Sequence, residues 1–171
     1  EESAEASEKL SITYTMEGNT GVLRIKLKDK MNVELFDDDS KNKKNQRRLT
    51  VHITELLPVE IKLEIGAGKC DVDFTGLLVE SFSLSAGAAS VSLWNSTPNK
   101  ITAEKVKIEC GVGKFVGKQL TNLNFRELRF EGGVGSYTLN FDGTLRQNGN
   151  VTVEVGVGSA SVIIPKHIPA R

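Results

Sequence analysis

Side-chain catalysis needs a nucleophile, a base or a set of metal ligands, and this chain offers few of them. His52 and His167 are its two histidines, and they lie on opposite sides of the central repeat. Cys70 and Cys110 are its two cysteines, without the close spacing of a zinc or redox pair. One histidine would suffice for a serine or cysteine nucleophile, but the sequence has no Gly-x-Ser-x-Gly nucleophile elbow. Asp71 and Asp73 offer carboxylates to a cation, yet calcium takes about six to eight oxygens and no neighbouring repeat supplies more at those positions. Residues 132–139, GGVGSYTL, approach the calcium-binding nonapeptide, except that Tyr137 stands where that motif has its aspartate ligand. Neither an enzyme nor a metal or cofactor site is expected. Trp94, the only tryptophan, is the best single candidate for ligand binding, because glycan recognition calls for an exposed aromatic.

The glycines belong to the scaffold. Gly66-Ala67-Gly68, Ser85-Ala86-Gly87, Gly111-Val112-Gly113, Gly133-Val134-Gly135 and Gly156-Val157-Gly158 start 19, 26, 22 and 23 residues apart, a period of about 22. A dinucleotide loop would need a helix after its glycines, with the phosphate at the helix N-terminus. Here each triplet lies between stretches of alternating apolar residues, which is strand periodicity. Before the triplets one face reads Ile61, Leu63, Ile65; Phe82, Leu84; Val106, Ile108, Cys110; Leu128, Phe130; Val151, Val153, Val155. After them it reads Cys70, Val72, Phe74; Ala89, Val91, Leu93; Phe115; Tyr137, Leu139, Phe141; Ala160, Val162, Ile164. Gly117 and Gln119 interrupt the third unit, and a bulge is expected near Val116.

Such a strand–bend–strand unit buries its apolar face only by stacking on copies of itself. The predicted fold is an all-β solenoid of about five rungs. Both cysteines then project inward on opposite arms, two rungs apart, and the two ~4.8 Å steps between them exceed the reach of a disulfide. On the outward face Glu64, Ser83, Glu109, Glu131 and Glu154 form one column, and Lys62, Ser81, Lys107, Arg129 and Thr152 another. This reads as a solvated charge ladder.

Residues 1–9 are small, polar and acidic and are expected to be a flexible linker; residues 10–54 an N-terminal β cap; and residues 55–171 the solenoid. In the cap, Leu10–Met16 and Val22–Lys28 flank Gly18-Asn19-Thr20-Gly21, a hairpin signature, and the hairpin is expected to cover the first rung. Strands are also expected at Val33–Phe36 and Leu49–Ile53, around a charged loop of Asp37–Asp39, Lys41, Lys43, Lys44, Arg47 and Arg48. Lys plus Arg and Asp plus Glu number 22 each, so no net field draws the chain onto nucleic acid. No stretch reaches the ~20 apolar residues of a membrane span. Membrane association is therefore expected only through a segment outside this sequence.

The recurring unit, clearest in KLEIGAGKCDVDFTGL, FEGGVGSYTLNFDG and VEVGVGSASVIIP, resembles the bacterial toast-rack family of envelope domains of unknown function. That family is similar to the C-terminal domain of LiaF-type cell-wall stress proteins and, more distantly, to adhesin-like proteins. The resemblance covers residues 55–165 and departs at Ser85 and in the third rung. It implies an extracytoplasmic, membrane-anchored or cell-surface domain, a non-catalytic scaffold or stress-sensing module. Its implied partners are envelope or membrane proteins, or a cell-wall or surface polymer. A glycan-binding, adhesin-like role is the alternative. The sequons at Asn95 and Asn150 are chance matches on this reading, since the implied source is bacterial.

Overall fold

The structure, a computed structural model, describes residues 10–27 and 48–168. Strands account for 68% of it, and the described residues contain no α-helix. Two compact units divide at Leu49/Thr50. In the first, β1 (Leu10–Glu17) pairs antiparallel with β2 (Thr20–Leu27). The turn is tighter than the four residues read from sequence: Gly18 and Asn19 make it alone, with Gly18 at φ 65, where glycine carries no steric cost.

The second unit is the solenoid. Five long strands, β3 (Pro58–Asp73), β4 (Leu78–Trp94), β5 (Ala103–Lys118), β6 (Phe125–Asn140) and β7 (Asn150–Ile163), stack in chain order in one parallel sheet. Each strand bends at its glycine triplet. The inward side chains of the two arms meet in a core that includes Phe82, Leu84, Val91, Leu93, Ile108, Phe115, Phe130 and Leu139, all at most 1% exposed. Phe115 meets Phe130 across the arms, with ring centroids 5.1 Å apart.

Close stacking explains the first glycine of the bend in the second to fifth rungs. A Cβ on Gly87 would lie 2.5 Å from the Gly66 carbonyl oxygen, and one on Gly111 would lie 2.8 Å from that of Gly87. Real Cβ atoms do not approach backbone so closely. This packing corrects the second rung. Ile65 pairs with Ala86 and Ala67 with Ala88, so the bend is Gly87-Ala88-Ala89, two residues later than Ser85-Ala86-Gly87. A two-residue slip keeps every side chain on its face, so alternation cannot detect it. In consequence Ser85 stands in the glutamate column and Ser83 in the basic one, Cys110 pairs with Ala86, and Cys70 pairs with Val91.

The third rung carries no bulge. Phe115, Val116 and Gly117 pair in unbroken register with Tyr137, Thr138 and Leu139. Gly117 does occupy a core position, but Leu120, on the following 3-10 turn (Leu120–Leu123), folds back to fill it; a Cβ on Gly117 would lie 2.9 Å from Leu120 Cδ2. Leu49–Ile53 forms no strand, and its Leu49, Val51 and Ile53 are exposed: alternation without a ladder partner does not make one. The linker at residues 1–9, Val33–Phe36 and the charged loop up to Arg47 lie outside the described residues.

Candidate functional site

Past the bend, the outward faces of β3, β4 and β5 bring an aromatic, carboxylates, lysines and hydroxyls together. The ladder places Trp94 beside Asp73 on one neighbouring rung and Lys118 on the other. One row nearer the bend, Asp71 pairs with Ser92 and Ser92 with Val116. Trp94 is half-buried and walls an open depression of about 670 Å³, bounded also by Ser96, Lys114, Lys118 and Gln119.

The turn after β3 fixes this aromatic wall. Phe74 donates its amide to the Trp94 carbonyl at 3.0 Å, and Ser96 donates its own to the Thr75 hydroxyl at 3.0 Å. The Thr75 amide donates to Asp73 Oδ1 at 2.9 Å. Burial would raise the Asp73 pKa. Hydrogen bonds from the Thr75 hydroxyl, the Thr75 amide and the Trp94 indole outweigh it and hold the carboxyl below its usual value. The Asp73 carboxylate therefore stands beside the Trp94 indole as an anion. Lys69 lies 3.1 Å from Asp71, leaving Lys114 and Lys118 to offer cations in the depression.

Next to Trp94 in the chain, Asn95 begins a network of asparagines whose pairing the sequence reading did not foresee. Asn95 and Asn122 exchange amide-to-carbonyl bonds of 3.0 and 2.8 Å, joining the turns of two rungs. Asn99 Nδ2 donates to the Val79 carbonyl at 2.7 Å and to that of Leu123 at 3.2 Å; Asn124 Nδ2 donates to that of Ile101 at 2.8 Å. All four residues are buried. The available signal was the recurrence of asparagine just beyond the strands. Asn95, at 1% exposure, is closed to glycosylation, whereas Asn150 is exposed.

The other candidate groups stay apart. His52 is exposed, and the ring of exposed His167 lies 3.4 Å from the Gly143 carbonyl. Burial raises both thiol pKa values: at Cys70 the charge of Asp71 adds to it, and Cys110 is pushed up to about 11. Both cysteines are unpaired. No three His, Cys, Asp or Glu side chains converge as a metal site among the described residues. On the other arm the charge columns pair along the first, third and fourth rungs, Lys62 with Glu64 at 2.7 Å, Lys107 with Glu109 at 2.5 Å and Arg129 with Glu131 at 2.5 Å, and Arg129 also reaches Glu154 on the next rung at 3.2 Å. What these surfaces offer is repeated hydrogen bonding and one stacking ring.

No curated protein and no solved structure matches the sequence. The family described as the N-terminal domain of toast_rack, DUF2154, does match, over two overlapping stretches, residues 2–116 and 107–163. These span nearly the whole chain and include every rung, and the chain belongs to this toast-rack family of domains of unknown function.

Proposed function

We propose that the chain is a non-catalytic, extracytoplasmic interaction scaffold of the bacterial cell envelope, in the manner of a LiaF-like stress-sensing domain, with envelope proteins or surface polymers as partners. The observation that carries this reading is the distribution of polar chemistry: outward groups recur rung by rung along columns and do not converge on one point. A column repeating at ~4.8 Å fits an extended or repeating partner better than a single reacting bond. Localisation is tested with the full-length protein in intact cells. Digestion of the domain by added protease while a cytoplasmic marker survives is the expected result. Protection of the domain until the cells are lysed would remove the extracytoplasmic reading.

A second reading, an adhesin-like glycan module, is favoured by one feature. Trp94 is anchored beside Asp73 and opens onto a depression with Ser96, Lys118 and Gln119 at its rim. A flat aromatic with adjacent hydrogen-bonding groups suits a sugar ring. Binding on a glycan array that disappears in Trp94→Ala would support it, and an array without hits would remove it.

A further inference from the structure

Gly66 is a glycine for which the described residues show no need. In the same column, Gly87, Gly111, Gly133 and Gly156 each face the carbonyl of the preceding rung, at a distance that leaves little or no room for a Cβ. A Cβ on Gly66 would meet nothing within 4 Å among the described residues, and its φ lies outside the left-handed range. At the far end of the stack β7 has no strand partner on its outer side among the described residues, and Val162 on its inward face is 45% exposed. Edge strands are ordinarily protected by lysine, proline or shortness. β7 runs for 14 residues with Glu154 as its only charge and no proline.

We propose that the chain associates head to tail with a second copy of itself, β7 of one copy stacking in parallel on β3 of the next. Continuing the observed register places Val153 on Leu63, Val155 on Ile65 and Val162 on Val72, apolar over apolar in each column. It brings the Gly156 carbonyl onto Gly66, as the Gly66 carbonyl meets Gly87 within the chain. One contact thus pairs both edge strands of the described sheet and gives Gly66 its reason. Because the two surfaces differ, the association is heterologous and propagates as a linear stack.

The register also places Ala160 of one copy opposite Cys70 of the next. Paired residues on adjacent strands lie ~5 Å apart at Cα, within disulfide reach. Inside one copy the two positions are four rungs apart. The test is mild oxidation of the 171-residue Ala160→Cys protein, read on non-reducing gels beside light-scattering mass against concentration. The expected results are a ladder of disulfide-linked oligomers, absent when Cys70→Ala is added, and a mass that rises with concentration in the unmodified protein. Gly66→Val should cut the cross-linking yield at least about tenfold, the effect of ~1.4 kcal/mol, and leave the thermal unfolding temperature unchanged. A monomeric mass at every concentration, or a ladder indifferent to Gly66→Val, overturns the proposal. So does destabilisation of the monomer by Gly66→Val, which would mean that the chain's own residues already cover β3.

Discussion

The ring of Tyr137 fills the space that a side chain at Gly132 would occupy, and a Cβ there would lie 2.5 Å from Tyr137 Cε2. Gly132 shares its column with Cys110 and Val155, so the fourth rung exchanges a small core residue for a large ring packed 5.2 Å from Phe130. Gly132→Ala overpacks this site and should cost about 1–3 kcal/mol in urea unfolding. The Tyr137 hydroxyl has no hydrogen-bond partner among the described residues, so Tyr137→Phe should leave stability unchanged or raise it by up to about 1 kcal/mol. A large loss in Tyr137→Phe would reveal a partner for that oxygen.

Glu131 pairs with Arg129 at 2.5 Å, and its side chain remains about one-third exposed. Exposed pairs contribute little, because solvent screens them and ordering two long side chains opposes the gain. Glu131→Gln should therefore change stability by no more than about 1 kcal/mol, and Lys107→Gln should have a similarly small effect. The Lys107 pKa is raised, by its hydrogen bond with Glu109 above all, so what that pair contributes is present at neutral pH and lost as pH rises through the elevated value. A loss of several kcal/mol in Glu131→Gln would mark the column as bearing a ligand or a partner.

The alternation of Ile61, Leu63 and Ile65 and the recurrence of glycine were enough to read a stacked β architecture, because those signals are local and repeated. The register of the second rung was not legible. Ser85 and Gly87 have the same parity, and only the carbonyl of Gly66, 21 positions earlier in sequence, decides between them. Compensation by a near neighbour was hidden because strand alternation does not foresee a turn: Gly117 looks like a defect until Leu120, three residues on, folds back onto it. At the candidate site Trp94 was visible as a lone aromatic. Its partner Asp73 and the Asn95–Asn122 pair were not, since turns from different rungs bring them together.

Trp94 is the only tryptophan, so its fluorescence reports on Asp73 directly. The folded-state pKa of Asp73 is lowered, so the stability it contributes is complete above its unfolded value of about 4 and is lost as pH falls through the folded value. Acidification below about pH 4 should shift Trp94 emission before global unfolding, with an energetic effect under about 1 kcal/mol because the carboxylate is largely exposed. Asp73→Asn should abolish that early step. An identical acid profile in Asp73→Asn would show that the indole does not sense this carboxylate.

Cys70 and Cys110 lie on opposite arms of the bend, Cys70 paired with Val91 and Cys110 with Ala86, and the whole second rung separates them. Mass spectrometry of the denatured, non-reduced protein should therefore find two alkylatable thiols. In the folded protein half-exposed Cys70 should react first, since Cys110 is buried and its pKa of about 11 leaves only about one thiolate in 10⁴ at pH 7. Cys110 faces the interior among apolar neighbours, so Cys110→Ala should cost stability through lost packing. Cys110→Ser should cost about 1–3 kcal/mol more, because it buries a hydroxyl without an evident partner. Equal reaction rates for the two thiols would mean that the third rung opens readily, and an intramolecular Cys70–Cys110 bridge would be incompatible with a rung lying between them.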